Sequence, residues 1–230
     1  FLLSILVILT MIFTQKHLVA LSILFGCCLV ALAIVLSGFS LQNVFASFSK
    51  NTIPVQRIDA LQRHIYGNAH APVTIVEFAD LECPYCSQLH VTLKKIVDES
   101  NGSINWEFRQ FPLSIHQYAH EAALTSECVA TLQGSSSFWN FVDTIMTHQA
   151  LLNSSCLSSI AAENKIDVTK LKACMADKKT IAAVDADAKT ALLLGGTGTP
   201  FSVIIYANKT TKAVSGALPY AQWKSLLHMK

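Results

Sequence analysis

Two cysteines separated by two residues, between a predicted strand and a predicted helix, constrain this chain more than any other feature. Residues 73–78 are rich in β-branched and aromatic side chains, as in a buried strand, and residues 87–97 repeat apolar side chains at helical intervals. Cys83 and Cys86 are therefore expected at a helix N-terminus, where unpaired backbone N–H groups and the helix dipole favour a thiolate. Pro84 suits this position because the first turn of a helix does not use its missing N–H.

This placement predicts a redox-active cysteine pair. Two intervening residues let the sulfurs bridge within one helical turn, so the bond is readily made and broken. Cys83, nearer the helix start, is expected to be the exposed sulfur that a substrate attacks, and Cys86 the buried resolving partner. An inert disulfide or half of a zinc site has the same spacing and is the alternative.

Three motifs, in this order, resemble the DsbA-like thiol–disulfide oxidoreductases, a branch of the thioredoxin-fold superfamily. They are GNAHAPVTIVEFADLECPYC at 67–86, GGTGTPF followed by SVIIY at 195–206, and AVSGALPY at 213–220. The resemblance covers about residues 65–229. It implies an α/β thioredoxin-like fold with an inserted helical subdomain at about 115–194, and an activity that needs no cofactor. Apolar side chains recur at helical spacing through this region, in agreement with that insertion.

The resemblance also assigns roles to residues beside the cysteines. Pro84 and Tyr85 would tune the stability of the thiolate and hence the redox potential. Thr199 and Pro200 would share a cis peptide bond, which brings the backbone of Thr199 beside the sulfurs, where an extended substrate can pair as an added strand.

Two carboxylates accompany the cysteine motif. Glu77 is the one acid in an otherwise apolar predicted strand, at the position where the resemblance implies a buried carboxylate that exchanges a proton with Cys86. Strand alternation could instead turn Glu77 towards solvent. Glu82, beside Cys83, is expected to be exposed and to weaken the thiolate slightly through like-charge repulsion.

Further cysteines lie in the predicted insertion. Some members of the family staple this region with a second disulfide, which implies a bond between Cys128 and Cys174. Cys156 is an alternative partner for either of them. Buried, reduced thiols at all three positions are a further alternative.

Two histidines raise the question of a metal site. His116 and His120 stand four residues apart, a spacing that can present two imidazoles on one helix face. The segment between Cys86 and His116 is far longer than a zinc-finger loop. We therefore predict no metal site.

The N-terminal part of the chain is apolar. Residues 18–39 carry no charge and are long enough to cross a bilayer, which predicts a transmembrane anchor; a long, cleaved signal peptide is the alternative. Residues 1–17 are interpreted as the end of a further, truncated span, residues 40–62 as a juxtamembrane linker, and residues 63–230 as the catalytic domain. Lys16 before the anchor favours a domain outside the cytoplasm.

These features together predict a membrane-anchored thiol–disulfide oxidoreductase that faces the periplasm and introduces disulfides into exported proteins with free thiols. The resemblance implies reoxidation by a quinone-linked membrane protein, similar to DsbB or to a vitamin K epoxide reductase homologue.

The linker is too short for a dimerisation domain, which favours a monomer. A net charge of +2 gives no reason to expect nucleic acid as a partner. A reductase or isomerase on this fold, and a module that binds a soft metal or holds unfolded chains, are the alternatives.

Overall fold

The computed structural model describes residues 64–229. The predicted anchor at 18–39 and the segments on either side of it, up to residue 63, lie outside the described residues. Within the described range, no helix combines the length and the apolar character that crossing a bilayer requires.

A mixed five-stranded sheet forms the centre of the domain, with the strand order β1-β3-β2-β4-β5. Strand β2 runs parallel to β3, and the other neighbours are antiparallel. The strands are β1 (His64–Gly67), β2 (Val73–Ala79), β3 (Ile104–Gln110), β4 (Phe201–Ile205) and β5 (Thr211–Ser215).

The helices follow the order that the sequence predicts. A helix of 16 residues connects β2 to β3, five helices lie between β3 and β4, and a short helix follows β5. They are α1 (Pro84–Glu99), α2 (Ala119–Gln133), α3 (Ser135–Thr147), α4 (Ser154–Glu163), α5 (Val168–Met175), α6 (Lys178–Leu193) and α7 (Tyr220–Leu226). A single 3₁₀ turn, Gln149–Leu151, separates α3 from α4.

Strand β2 is buried on both faces, which places its end inside the protein. Ile75 and Ala79 belong to the main core, with the apolar face of α1. Val76 and Phe78 face the other way and pack in a second cluster with Ala191 of α6. Since successive strand residues point to opposite faces, helices on both sides account for the continuous apolar run in this strand.

Strand β3 differs from the half-buried strand that its alternating polar residues suggest. All seven of its residues are buried. The polar face lies under α6, where Arg109 Nε donates to Glu107 Oε1 at 2.7 Å and Arg109 Nη1 donates to Asp187 Oδ1 at 3.2 Å. The charges are buried because each has an oppositely charged partner, as burial of ionised groups requires.

Strand β1 is an element that the sequence pattern does not reveal. From the sequence pattern alone, Ile104–Gln110 is predicted as the second strand; β1 pairs antiparallel with it and makes it the third. The imidazole of His64 stacks on Phe138 with 3.7 Å between ring centroids, and its Nε2 lies 3.0 Å from Glu127 Oε1. These contacts fix the start of the described chain against α2 and α3.

A disulfide joins two helices of the inserted block. Cys128 of α2 and Cys174 of α5 are bonded, with an S–S distance of 2.06 Å and a sequence separation of 46. Cys156 is a free, partly exposed thiol. Of the pairings that the sequence leaves open, the structure therefore contains the one implied by the family resemblance.

Removal of this bond should destabilise the domain. We expect the double variant Cys128→Ser, Cys174→Ser to lose about 3–4 kcal/mol of unfolding free energy, because a loop of this length restricts the unfolded chain. Urea unfolding of the oxidised full chain measures the difference, with Cys156→Ser as the control. Equal midpoints for the wild type and the double variant would contradict the prediction.

Candidate active site

The two cysteines of the motif lie at the start of α1. Cys83 is the N-cap residue and Pro84 the first helical residue. The Cys83 N–H donates to the carbonyl oxygen of Asp80 at 3.1 Å, and the Cys83 carbonyl oxygen accepts from the Cys86 N–H at 3.0 Å. The turn after β2 thus places Cys83 at the N-terminus of α1, the positive end of the helix dipole. The two sulfurs are not bonded to each other, so this is the dithiol form.

Cys83 is less accessible than the sequence suggests. Only 4% of Cys83 is exposed, against 0% of Cys86, so the expectation of an exposed first cysteine is wrong. The loop before β4 covers it, since Cys83 Sγ lies 3.5 Å from the carbonyl oxygen of Thr199. Tyr85, between the cysteines, is 60% exposed and marks the open side of the site.

The two thiols have opposite pKa shifts. The Cys86 thiol, as a hydrogen-bond donor, lowers the pKa of Cys83 to about 5; burial opposes this effect, and Thr199 and the backbone N–H groups of Cys86 and Tyr85 support it. Burial raises the pKa of Cys86 well above its ordinary value, and the adjacent Cys83 and Glu77 raise it further. Near neutral pH, Cys83 is therefore the thiolate and Cys86 the proton-bearing thiol.

Glu77 lies beneath the pair and is completely buried, which excludes the solvent-facing alternative. Burial raises the pKa of its carboxyl to about 8, the Trp106 indole lowers it in part, and the Cys83 charge raises it further. Neither carboxyl oxygen nor the Trp106 N–H has a hydrogen bond of ordinary geometry. The indole therefore acts only as a nearby dipole, and burial is the dominant cause of the raised pKa of Glu77.

The loop before β4 forms the wall opposite Cys83. The Thr199–Pro200 peptide bond is cis, and Pro200 leads directly into the strand. The Pro200 carbonyl oxygen accepts from the Gly216 N–H at 2.8 Å, which holds the loop against the end of β5. The Thr199 carbonyl is left pointing at the Cys83 sulfur.

The inserted helices also hold the active-site turn, through contacts that the sequence does not signal. Gln149 Nε2 donates to the carbonyl oxygens of both Leu81 and Cys83, each at 2.9 Å. Ser87 Oγ donates to the Met146 carbonyl oxygen at 2.7 Å. The block between β3 and β4 therefore fixes the backbone on both sides of the reactive sulfur.

Glu82 is not the exposed, free carboxylate that the sequence suggests. It is partly buried, and its Oε2 accepts the Tyr118 N–H at 2.6 Å. Tyr118 is the N-cap residue of α2, so this carboxylate binds one of the unpaired N–H groups there.

The two histidines considered for a metal site lie in different surroundings. His116 Nδ1 lies 2.8 Å from Asp80 Oδ2, whereas His120 is exposed. Between residues 64 and 229, no group of three or more histidine, cysteine or acidic side chains is arranged to hold a metal ion.

Comparison with known proteins places this geometry in context. Residues 59–228 match the family model Thioredoxin_4, described as thioredoxin. Among solved structures, DsbA2 from Pseudomonas aeruginosa is 27% identical, with a TM-score of 0.61 over 73% of this chain and 93% of that one.

Two further structures share the fold. The thiol-disulfide exchange protein alpha-DsbA2 from Wolbachia pipientis is 21% identical, with a TM-score of 0.65 over 75% of this chain and 89% of its own. A thioredoxin-like oxidoreductase from Silicibacter pomeroyi DSS-3 is 23% identical, with a TM-score of 0.66 over 76% and 96%. These likenesses confirm the predicted thioredoxin-like α/β fold.

Curated relatives of a different kind also match. The Na(+)/H(+) antiporter NhaA 3 of Salinispora tropica is 33% identical and NhaA 1 of Salinispora arenicola 31% identical, each over 144 residues and 62% of this chain. The match spans 22% of the length of each antiporter. Ion transport by these proteins is therefore not assigned to this chain.

Proposed function

The chain belongs to the Thioredoxin_4 family and is a DsbA-like thioredoxin-fold protein, and from this premise we propose that it introduces disulfides into exported proteins. The observation that carries the proposal is the asymmetry of the cysteine pair. The pKa of Cys83 falls to about 5 while that of Cys86 is raised. The stability of its thiolate makes Cys83 a good leaving group from the mixed disulfide. The raised pKa of Cys86 keeps that thiol protonated near neutral pH.

The reaction proceeds by two exchanges. A substrate thiolate attacks Cys83 Sγ of the oxidised pair, the Cys83–Cys86 bond breaks, and Cys86 leaves with two electrons and takes up a proton. A second substrate thiolate then attacks the substrate sulfur of the mixed disulfide, and Cys83 leaves as a thiolate. The substrate dithiol loses two electrons and two protons; the cysteine pair gains the two electrons and, on Cys86, one proton, and the other proton goes to solvent.

Glu77 is the proposed proton donor for Cys86 in the first exchange. Its buried carboxyl has a pKa of about 8, so it holds a proton at neutral pH and can give it up to a leaving thiolate. The interaction between Glu77 and Cys86 that raises the Cys86 pKa supports this pairing. Pro84 and Tyr85 stay the proposed tuning residues, because they connect the two sulfurs along the helix start.

An extended polypeptide is the substrate class that the surroundings of the site favour. Three exposed apolar side chains surround the cysteine pair. Tyr85 lies between the cysteines and is 60% exposed, and Ile115 and Leu151, on two segments that contact the active-site turn, are 81% and 64% exposed. Ile115 precedes the Asp80-bonded His116, and Leu151 belongs to the 3₁₀ turn of Gln149. The Thr199 backbone beside Cys83 supports strand-like pairing with such a chain.

The cellular setting is also a proposal. A dithiol left after each turnover needs an external two-electron acceptor, and we infer a quinone-linked membrane protein of the DsbB or vitamin K epoxide reductase kind. A membrane anchor at 18–39 and a monomeric domain on the outer face would bring the pair to that acceptor and to exported substrates. Residues 63–230 are the proposed catalytic domain.

The redox potential of the Cys83–Cys86 pair tests the direction of the reaction. We expect a value closer to the −120 mV of strong oxidants than to the roughly −270 mV of thioredoxin, because a stable thiolate favours the reduced form. The measurement equilibrates the full chain in glutathione buffers at pH 7. A potential near that of thioredoxin would make the protein a reductase, and a pair that never exchanges with glutathione would exclude the enzyme.

A further inference from the structure

A buried carboxylate connects the active-site turn to the loop between β3 and α2. Asp80 is 1% exposed, and its side chain has three hydrogen-bond partners. Oδ1 accepts from the Glu82 N–H at 2.8 Å, while Oδ2 accepts from the Leu113 N–H at 2.8 Å and lies 2.8 Å from His116 Nδ1. The same residue donates its own N–H to Cys86 Sγ at 3.4 Å. Asp80 therefore contacts both the cysteine pair and the imidazole.

This arrangement fixes the orientation of the His116 ring. A carboxylate only accepts hydrogen bonds, so the proton lies on Nδ1 and the neutral ring has a free Nε2. Two further bonds hold the loop, from the Phe111 N–H to the Ala79 carbonyl oxygen at 2.7 Å and from the Tyr118 N–H to Glu82 Oε2 at 2.6 Å. The His116 side chain is 20% exposed, so it can exchange protons with solvent.

Three ionisable groups act on the imidazole: Asp80, whose Oδ2 lies 2.8 Å from Nδ1, and the charges of Cys83 and Glu82 in the adjacent active-site turn. Burial alone would lower the pKa of His116, but the hydrogen bond and charge of Asp80, with the charges of Cys83 and Glu82, raise it above the ordinary 6.5. The Cys83 sulfur also interacts with the charge of Glu77 beneath it. His116 is thus the positive member of a group whose other members are neutral or negative.

We propose that Asp80 and His116 act as a positioning pair, in which Asp80 holds the imidazole and the imidazolium charge stabilises the Cys83 thiolate. This inference rests on the proposed exchange reaction and adds a pH-sensitive control to it. In the second exchange, the imidazolium stabilises Cys83 as it leaves the mixed disulfide. In the resting reduced enzyme, it favours the dithiol form over the disulfide.

The sign of the pH dependence follows from the charge. Below the pKa of His116, the ring is cationic and stabilises the thiolate; as the pH rises through that pKa, the charge and its contribution are lost. The hydrogen bond from the Cys86 thiol to the Cys83 sulfur persists, and it is the largest contribution to the Cys83 pKa. Loss of the imidazolium charge is therefore expected to lower the acid dissociation constant of the Cys83 thiol several-fold rather than by orders of magnitude.

The variant His116→Asn removes the charge and keeps an N–H donor for Asp80. In the reduced full chain, we expect the acid dissociation constant of Cys83, followed by thiolate absorbance, to fall about two- to fivefold. A threefold change corresponds to a potential about 14 mV more reducing at pH 6. The difference should disappear by pH 9, where the wild-type ring is neutral. His120→Asn, an exposed histidine of the same region, is the matched control and should match the wild type.

Reciprocity gives a test that needs no substitution. If the thiolate and the imidazolium stabilise each other, the pKa of His116 must be higher in the reduced wild type than in the disulfide form, by the same factor. Imidazole proton resonances followed against pH in both redox states measure it. Equal His116 pKa values in the two states would overturn the proposal, as would a Cys83 titration that His116→Asn leaves unchanged or that His120→Asn changes equally. A wild type that does not exchange disulfides would instead refute the proposed function.

Discussion

Replacement of Cys83 by serine is expected to reduce disulfide exchange to the uncatalysed rate, because a hydroxyl oxygen cannot form the mixed disulfide. Cys86 cannot substitute for it, since that sulfur is fully buried and burial raises its pKa. Oxidation of a dithiol peptide by the preoxidised full chain measures the loss. Cys86→Ser should behave differently when it is offered a disulfide-bonded peptide: the Cys83 thiolate still attacks that disulfide and releases one peptide thiol, but without a resolving thiol the mixed disulfide accumulates.

Cys156→Ser is the control for both variants. It removes a partly exposed thiol of α4 and should leave the exchange rate unchanged. Activity retained in Cys83→Ser would mean that another sulfur reacts first. A mixed disulfide trapped on Cys156 rather than on Cys83 would have the same meaning.

Glu77→Gln is expected to remove most of the pH dependence of stability between about pH 4.5 and 8. Burial raises the pKa of the native carboxyl from 4.5 to about 8, so the native state holds a proton that the unfolded chain releases over this range. The contribution of Glu77 to stability is therefore greatest at low pH and falls as the pH rises, by about 5 kcal/mol in total. The amide of glutamine does not ionise, so the variant should lack this slope.

Urea unfolding at several pH values measures the effect. The disulfide form is preferable because its cysteines do not titrate; burial, the largest cause of the Glu77 shift, is present there as well. Glu163→Gln, at the exposed C-terminal end of α4, is the matched control and should follow the wild type. The same slope in the wild type and in Glu77→Gln would contradict the prediction, because it would mean that Glu77 is ionised between pH 4.5 and 8 in the native protein as it is in the unfolded chain.

The sequence predicts those parts of the site whose signals lie close together along the chain. The strand before Cys83, the proline at the helix start and the helical spacing after Cys86 fall within one short segment, and each follows from local backbone chemistry. The helices of the insertion are also recovered, because their apolar spacing is local.

The features that the sequence misses depend on residues far away along the chain. Cys83 is covered by Thr199, 116 residues later, and its carbonyl is held by Gln149, 66 residues later. The polar face of β3 is buried because Arg109 meets Asp187, 78 residues away. Strand β1 has four residues, too few for a periodic pattern. It is recognised as a strand only from its pairing with β3, which begins 37 residues later in the chain than β1 ends.

The ion network under α6 has a consequence for how this domain can change during evolution. Arg109 bridges Glu107 and Asp187, and all three side chains are buried. Loss of Arg109 leaves the buried carboxylates of Glu107 and Asp187 without the cation that they share, at a cost of about 3–5 kcal/mol, whereas an apolar replacement of the whole set can be neutral. Single substitutions of Arg109 are therefore selected against, and in a descendant sequence this residue is expected to change together with both acids or not at all.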